Sequence, residues 1–253
     1  MKQGNLFEQT TNNENTEINS AKRTDDQSLN TNQAKEIIDT GSGEIIFLKN
    51  GLTSNASNRL LEYLTENDQN LSASFNWKDA KIDKSSTDGI KFTTTKWKQD
   101  YIKLYGRIIP LPRLTCWYGD PGMSYTYSGI PCTPVPWNKG LAWLKEKAEE
   151  FAEHQFNSAL LNWYRDGSDT LSWHSDNEKE LGKNPTIASI SLGETRDFIL
   201  RKKDDHSCKL KFALSHGSIL IMKGELQEHW QHSVPARKRV TKSRINITFR
   251  TIY

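Results

Sequence analysis

The chain has 253 residues, 35% of them hydrophobic, and a formal net charge of +3. That length suits one large domain or two small ones with a sizeable core, and so mild a charge decides nothing about partners. No apolar run approaches the roughly 20 residues that cross a bilayer, and the first ten residues lack a signal-peptide core, so neither membrane insertion nor export is expected. Three cysteines without a CxxC pair argue against a disulfide framework and favour a reducing compartment.

The first part of the chain is predicted to be a disordered polar arm. Residues 1–40 are rich in Asn, Gln, Ser and Thr and poor in large apolar side chains. Such a segment buries too little surface to offset the entropy lost on ordering. The texture changes at about residue 41, so residues 41–253 are expected to form the folded domain.

Two helices and a series of short strands follow in chain order. Apolar residues at helical spacing predict a helix over Ser54–Thr65, and good helix formers predict another over Lys139–His154. After Phe156 the hydrophobic period is two, in strands with the sequences "SALLNWYRDG", "TIASISLG", "RDFILRKK", "KLKFALS", "GSILIMKG" and "RINITFRTIY". This pattern predicts a mainly β protein with flanking helices (α+β), built as an antiparallel sandwich or barrel.

A metal site is suggested by the stretch "TLSWHSD", in which His174 and Asp176 lie two residues apart near a strand end. One His-x-Asp pair alone is more often a hydrogen-bonded pair than a metal site. The later stretch "EHWQHSVP" offers a further imidazole, from His229 or His232. Two imidazoles and one carboxylate on one face of a metal form the facial triad of non-heme Fe(II) oxygenases, which leaves positions open for a cosubstrate and oxygen.

The last predicted strand, "RINITFR", separates an apolar face from a polar one. Ile245, Ile247 and Phe249 alternate with the polar residues Arg244, Asn246, Thr248 and Arg250. Buried arginines are costly unless they meet anions, and a dicarboxylate would satisfy both through forked hydrogen bonds. An internal salt bridge is the alternative for Arg250.

These motifs together resemble the AlkB family of Fe(II)/2-oxoglutarate dioxygenases. The resemblance rests on His174-x-Asp176, the distal His232, Arg244-x-Asn246-x-x-x-Arg250 and an Asn-x-Tyr strand, "NWYRDG". It covers about Ile102 to Tyr253 and is greatest to the eukaryotic-type DNA repair branch, through "PRLTCWYGDPGMSYTYSG" and "HWQHSVPARKRV". It implies a double-stranded β-helix, or jelly-roll, core, with a nucleotide-recognition region at about residues 95–137.

The resemblance also implies a role for each site residue. Fe(II) would be held by His174, Asp176 and His232, the last chosen over His229 because the family's ligand precedes Ser-Leu/Val-Pro. The distal carboxylate of 2-oxoglutarate would be held by Arg244, Asn246 and Tyr164. Its metal-chelating carboxylate would lie near Arg250 and Asn162. The implied chemistry is activation of O2, decarboxylation to succinate and CO2, and hydroxylation of an N-alkyl group that then leaves as formaldehyde.

An N-methylated base inside a duplex cannot reach buried iron, so the base must be flipped out or already single-stranded. Tyr125 and Tyr127 are candidates for stacking against the flipped base. The resemblance implies that the Glu178 carboxylate recognises the exocyclic amine of the base. Tyr105 would be the wedge that fills the gap in the duplex. The alternatives are ordinary strand packing for the tyrosines and a solvated charge for Glu178.

Basic residues in the stretch "ARKRV" are predicted to contact duplex phosphates. They are Arg237, Lys238 and Arg239, and Arg113 is expected to act similarly. Such a charge run is more commonly a solvated face.

The function predicted first is oxidative demethylation of 1-methyladenine and 3-methylcytosine in alkylated DNA, by a monomer. The alternatives are an RNA demethylase of the same family, a nucleic-acid-binding module without turnover, and a zinc hydrolase. The protein would be cytoplasmic in a bacterium and nuclear in a eukaryote.

The arm carries one short motif of its own. Gln3, Leu6 and Phe7, in "QGNLF", have the spacing of bacterial sliding-clamp ligands, which a disordered tether suits. A chance match of so few residues is the alternative.

Overall fold

The computed structural model describes residues 35–65, 95–104, 106–123, 125–127 and 130–253. The predicted clamp motif at Gln3, Leu6 and Phe7, most of the predicted arm, and the predicted wedge residue Tyr105 therefore lie outside the described residues.

Strands are the most common regular structure in the described chain. The helices are α1 (Ser54–Thr65), α2 (Lys139–Ala152) and α3 (Leu226–His229), with a short 3-10 turn at Lys179–Leu181. The strands are β1 (Glu36–Asp39), β2 (Glu44–Leu48), β3 (Tyr101–Leu104), β4 (Arg107–Pro110), β5 (Leu114–Gly119), β6 (Tyr125–Tyr127), β7 (Ile130–Cys132), β8 (Ser158–Tyr164), β9 (Leu171–His174), β10 (Ile187–Gly193), β11 (Arg196–Lys202), β12 (Lys209–Leu214), β13 (Ser218–Lys223), β14 (Trp230–Val234) and β15 (Arg244–Arg250).

Two antiparallel sheets form the body of the fold. The major sheet has the order β1-β2-β13-β10-β15-β8-β5, and the minor sheet has the order β12-β11-β14-β9. β3 with β4 and β6 with β7 form separate two-stranded hairpins. The mainly β class with flanking helices and a jelly-roll core is confirmed.

The hydrophobic core lies in two layers, one on each side of the major sheet. Leu60 and Leu64 of α1 and Leu141 and Leu144 of α2 pack on one face of the sheet. On the other face, side chains of β2, β8, β10 and β13 meet those of β11, β12 and β14 of the minor sheet. The helices therefore cover the face of the major sheet that is turned away from the minor sheet. A site between the two sheets is enclosed by the major sheet on one side and the minor sheet on the other.

β15 divides its side chains between these layers as predicted. Ile245, Ile247 and Phe249 belong to the core that contacts the helices. Arg244 and Arg250, which alternate with them, point to the cavity between the sheets. The strict period of two thus places two buried guanidinium groups inside the sandwich.

Several predicted boundaries need correction. β1 pairs with β2 from Glu36↔Phe47 to Asp39↔Glu44, so the ordered structure begins inside the segment predicted to be a disordered arm. α1 has its predicted limits, but α2 ends at Ala152 rather than His154, because Glu153 takes a left-handed conformation with φ of 50°. No helix within the described ranges is long and apolar enough to span a membrane.

Ile247 offers a test of the core layer. Its side chain is fully buried, whereas Ile108 on β4 is 75% exposed. Replacing a buried isoleucine by alanine removes packed methyl groups and leaves a cavity, so Ile247→Ala should lower the free energy of unfolding by about 2–5 kcal/mol. Ile108→Ala makes the same chemical change at the surface and should have little effect. Equal losses in denaturant titrations of the two variants would contradict this assignment of the core.

Candidate metal centre

Three candidate ligands meet between the sheets. The nearest ligand atoms of His174, Asp176 and His232 all lie within 4.8 Å of one another. Each imidazole Nε2 is 3.7 Å from one oxygen of the Asp176 carboxylate, His174 from Oδ1 and His232 from Oδ2. His229 points away, since it is exposed and its Nε2 lies 3.6 Å from Glu225. Of the two histidines in "EHWQHSVP", His232 is therefore the one that lies beside His174 and Asp176.

Strand pairing brings the two imidazoles together. β9 and β14 are antiparallel neighbours, and His174 lies directly opposite His232. The His174 Nδ1 lies 2.9 Å from the carbonyl oxygen of Ser172, which suits an Nδ1–H donor and leaves Nε2 free as a ligand. Burial lowers the pKa of His232 to about 3, so this imidazole is neutral and able to bind a metal at physiological pH.

Asp176 is held as a carboxylate by Arg250. Burial alone would raise its pKa, but the positive charge of Arg250 outweighs that effect, and the pKa of Asp176 is lowered. Arg250 Nη2 donates to Asp176 Oδ1 at 2.8 Å, which is the internal salt bridge considered from the sequence. The carboxylate is thus ionised and oriented without any metal.

The other end of the cavity contains unpaired donors. Arg244 lies opposite Tyr164 across the β15–β8 pairing, with its guanidinium carbon 5.1 Å from the ring centre. Arg244 Nη2 donates to Ser191 Oγ at 2.8 Å. Within the described part of the chain, Nε and Nη1 of Arg244 and the Tyr164 hydroxyl are buried without a hydrogen-bond partner. Burial lowers the pKa of Arg244 to about 10, which still leaves it cationic at neutral pH.

Asn246 and Asn162 are held in place by neighbours. Asn246 Nδ2 donates to Ser189 Oγ at 2.7 Å and to the Ile190 carbonyl at 3.2 Å. Asn162 Oδ1 accepts from Arg113 Nε at 2.8 Å. Arg113 is only 3% exposed, so its predicted contact with duplex phosphates is wrong: its guanidinium lies in the interior.

One cavity connects the triad to the arginines. Its polar lining includes the three candidate ligands, Asn162, Arg244, Asn246 and Arg250; its apolar lining includes Leu160, Leu171, Phe198, Met222 and Val234. A small anionic molecule bound at Arg244 would therefore share an enclosed space with a metal bound at the triad.

Comparison with known proteins fits this geometry. The family model of the 2OG-Fe(II) oxygenase superfamily matches residues 72–250. The chain belongs to this superfamily.

Its relatives within the superfamily include AlkB homologues. The mouse "Alpha-ketoglutarate-dependent dioxygenase alkB homolog 3" is 45% identical over 166 residues, which cover 62% of this chain and 57% of that protein. The mouse "DNA oxidative demethylase ALKBH2" is 40% identical over 158 residues, 60% of this chain and 66% of that protein. The matched segments thus span less than two thirds of these relatives. The predicted resemblance to the AlkB family is confirmed.

A solved structure shares the fold. "The structure of OsALKBH1" aligns with a TM-score of 0.52 at 16% identity, covering 85% of this chain and all of that one.

The residues fit the groups that the superfamily's name specifies. Two imidazoles and one ionised carboxylate form a donor set suited to Fe(II). The unpaired N–H groups of Arg244 and the Tyr164 hydroxyl suit one carboxylate of 2-oxoglutarate, because buried donors normally have partners.

The residues predicted to contact the base and the phosphates differ in their exposure and in their partners. Glu178 is partly exposed, yet its Oε2 is buried and has no partner among the described residues. Tyr125 and Tyr127 are the first and last residues of β6. Lys238 and Arg239 are exposed, whereas the half-exposed Arg237 forms an ion pair with Asp197.

Sequence analysis missed Arg196, which is buried with its guanidinium over the ring of Tyr164. Its guanidinium donates to the carbonyls of Asp166, Asp169 and Pro235 at 2.7–2.9 Å. It therefore links the turn before β9 to the loop after β14. Alternation along β11 was the available signal, since Arg196 shares a face with the core residues Phe198 and Leu200.

Tyr164→Phe tests the cosubstrate end. The variant removes a hydroxyl that has no partner within the described chain, so we expect unchanged stability of the protein alone. A lost hydrogen bond to a charged group costs about 1.5–3 kcal/mol, so affinity for 2-oxoglutarate should fall by roughly 10- to 150-fold. Calorimetric titration of the Mn(II)-loaded variant measures this. Wild-type affinity would show that the hydroxyl does not contact the cosubstrate.

Proposed function

We propose that this chain is an Fe(II)- and 2-oxoglutarate-dependent dioxygenase that demethylates 1-methyladenine and 3-methylcytosine in alkylated DNA. The observation that carries the proposal is the coexistence, in one cavity, of the His174–Asp176–His232 cluster and Arg244, whose guanidinium has unpaired donors and lies over the ring of the buried Tyr164. The similarity to a relative named as a DNA oxidative demethylase supports the choice of substrate.

Each cavity residue then has a defined task. His174, Asp176 and His232 would hold Fe(II). Arg244 and Tyr164 would hold the distal carboxylate of 2-oxoglutarate, with Asn246 supporting that end through its bonds to β10. Asn162 and Arg250, which line the same cavity, would lie near the chelating carboxylate. When bound, Fe(II), 2-oxoglutarate and O2 supply the oxidation that converts an N-methyl group to one that leaves as formaldehyde.

The chain itself orients the groups and excludes water. Arg250 neutralises the Asp176 carboxylate and fixes its direction by a hydrogen bond at 2.8 Å. Leu171, Phe198 and Val234 supply an apolar wall beside the candidate ligands. Such a wall keeps bulk water from the reacting methyl group and strengthens the charged contacts at the other end.

Glu178 is our candidate for recognition of the base. It follows Asp176 by two residues, and its Oε2 is a buried acceptor without a partner in the described structure. Both proposed substrates carry an exocyclic amine that could donate to this oxygen. A base in a duplex reaches the cavity only when flipped out. We propose that Tyr125 and Tyr127 on β6 stack against the base and that Tyr105 fills the gap.

The basic loop favours duplex DNA over other partners. Lys238 and Arg239 lie exposed between β14, which carries His232, and β15, which carries Arg244. Arg237 is engaged by Asp197, so in this conformation its contribution to phosphate binding requires that ion pair to open. An RNA substrate is the second candidate within the same chemistry. A zinc hydrolase or a module without turnover leaves the Arg244 donors unexplained.

Two finer statements about partners stay predictions from the sequence. The first is that the protein acts as a monomer, and the second is that Gln3, Leu6 and Phe7 bind a sliding clamp.

The proposed reaction is tested with a matched set of histidine variants. A methylated oligonucleotide incubated with the protein, Fe(II), 2-oxoglutarate and air should lose roughly 14 mass units, one CH₂. His174→Ala and His232→Ala should abolish this loss, since each removes a metal ligand. His229→Ala should retain it, because His229 is exposed and outside the cluster. Retained activity in His232→Ala, or its loss in His229→Ala, would contradict the ligand set. DNA and RNA oligonucleotides of one sequence compare the two substrates.

The basic loop is tested through the salt dependence of duplex binding. Each lost phosphate contact should reduce the slope of log affinity against log salt by about 0.9. Lys238→Ala combined with Arg239→Ala should therefore flatten the slope, with a smaller effect on demethylation of a short single strand. Lys35→Ala with Lys49→Ala removes the same number of charges from exposed positions at β1 and β2 and serves as the control. If both pairs give the same slope, the loop is only a solvated surface.

A further inference from the structure

The backbone of Asp176 lies beyond the strand pairing that positions the imidazoles. β9 ends at His174, opposite His232, and Asp176 follows two residues later. Asp176 is nevertheless 1% exposed, so its backbone N–H has no access to bulk water and needs an acceptor. Without a neighbouring strand, that acceptor comes from a side chain.

Gln227 supplies the acceptor. Its Oε1 accepts from the Asp176 N–H at 3.0 Å, and Gln227 is only 2% exposed. It belongs to α3, the short helix that leads directly into β14 and His232. The Gln227 side chain therefore joins the backbone of Asp176 to the helix that leads into the strand of His232.

The direction of the Gln227 amide follows from its second contact. Its Nε2 donates to the sulfur of Met222 at 3.4 Å, and Met222 on β13 lines the same cavity. The reversed amide would set an N–H donor against the Asp176 N–H donor, with no acceptor between them, and an oxygen acceptor against the sulfur, with no donor between them. The hydrogen-bond network therefore selects the orientation in which Oε1 points to Asp176.

A neighbouring bond fastens the same turn. Ser175 Oγ donates to the carbonyl of Trp230 at 2.7 Å, so the turn after β9 is tied at two points to the segment 227–232. Among the hydrogen bonds of the described residues, the Gln227 bond is the one that acts on the peptide N–H of Asp176 itself. Arg250 holds the other end of this residue, the carboxylate.

We infer that Gln227 is a positioning residue for the metal centre, because its bond to the Asp176 N–H sets where the carboxylate lies relative to His174 and His232. The inference rests on the proposed function in assuming that the cluster binds a metal. Loss of this bond would let the turn shift while all three ligands remain present, so metal affinity and coordination geometry should both change.

The test is anaerobic titration with Co(II), which reports affinity and coordination geometry through its visible absorption without requiring turnover. Gln227→Met keeps the length of the side chain but removes the acceptor. We expect affinity to fall by about 10- to 100-fold, the range seen when a partner of a metal ligand is lost, together with a changed spectrum. Glu228→Gln alters the adjacent exposed residue and should match the wild type.

A purely structural role for Gln227 predicts a different outcome. The variant would unfold at lower temperature, but the folded fraction would bind Co(II) with wild-type affinity and spectrum, which would overturn the inference. If Gln227→Met does not fold, Gln227→Asn, whose amide is one methylene too short, is judged by the same two readouts.

Hydrogen exchange of the Asp176 amide in the wild-type chain provides a measurement that needs no variant. Slow exchange supports the bond, and exchange as fast as that of an exposed amide would refute it. A wild-type chain that binds no Co(II) would instead remove the metal centre, and with it the proposed function.

Discussion

The buried ion pair between Asp176 and Arg250 is the contact on which the site depends. Asp176 follows a strand of the minor sheet and Arg250 ends a strand of the major sheet, so the pair joins the two halves of the sandwich. Neither charge is tolerable alone in the interior, where removal of one partner typically costs about 3–5 kcal/mol. The pair therefore fixes the separation of the sheets at the place where the imidazoles meet, and it keeps the carboxylate ionised for a metal.

The two ends of the cavity differ in how their charges are satisfied. At the triad, Arg250 is paired with Asp176, and the imidazoles are oriented by strand pairing and by the Ser172 carbonyl. At the far end, Arg244 donates to Ser191, while its other two nitrogens and the Tyr164 hydroxyl have no well-formed hydrogen bond within the described chain. A fold tolerates unpaired buried donors at a cost, and a bound anion is the simplest compensation. The asymmetry thus distinguishes a site for a cosubstrate from a metal site alone.

The start of β11 connects the cavity to the proposed DNA-binding loop. Arg196 binds the Pro235 carbonyl from the interior, and the next residue, Asp197, pairs with Arg237 on the outer face. Gly167 completes the contact, because a Cβ there would lie 1.9 Å from the Arg237 carbonyl oxygen. The basic loop is therefore joined to the turn that precedes β9, so the proposed duplex contacts and the candidate metal ligands are held by the same segment.

The sequence by itself determined the features that depend on local periodicity. The period of two along β15 assigned Ile245, Ile247 and Phe249 to the core and Arg244 to the cavity, since alternation is a property of any strand. It also predicted the mainly β class, the limits of α1 and the nearness of His174 to Asp176. The choice of His232 as third ligand came from family resemblance, and the structure agrees with it.

Tertiary structure alone decided which distant groups meet. Arg113 and Arg237 read alike as surface cations, yet one is buried on Asn162 and the other is paired with Asp197. Nothing local to Gln227 indicates that it binds the Asp176 backbone, 51 positions away. The periodicity of a strand determines which face of the sheet a side chain occupies. The partner of that side chain depends on which strands and loops pack against this face, and the packing of the two sheets determines it only in the tertiary structure.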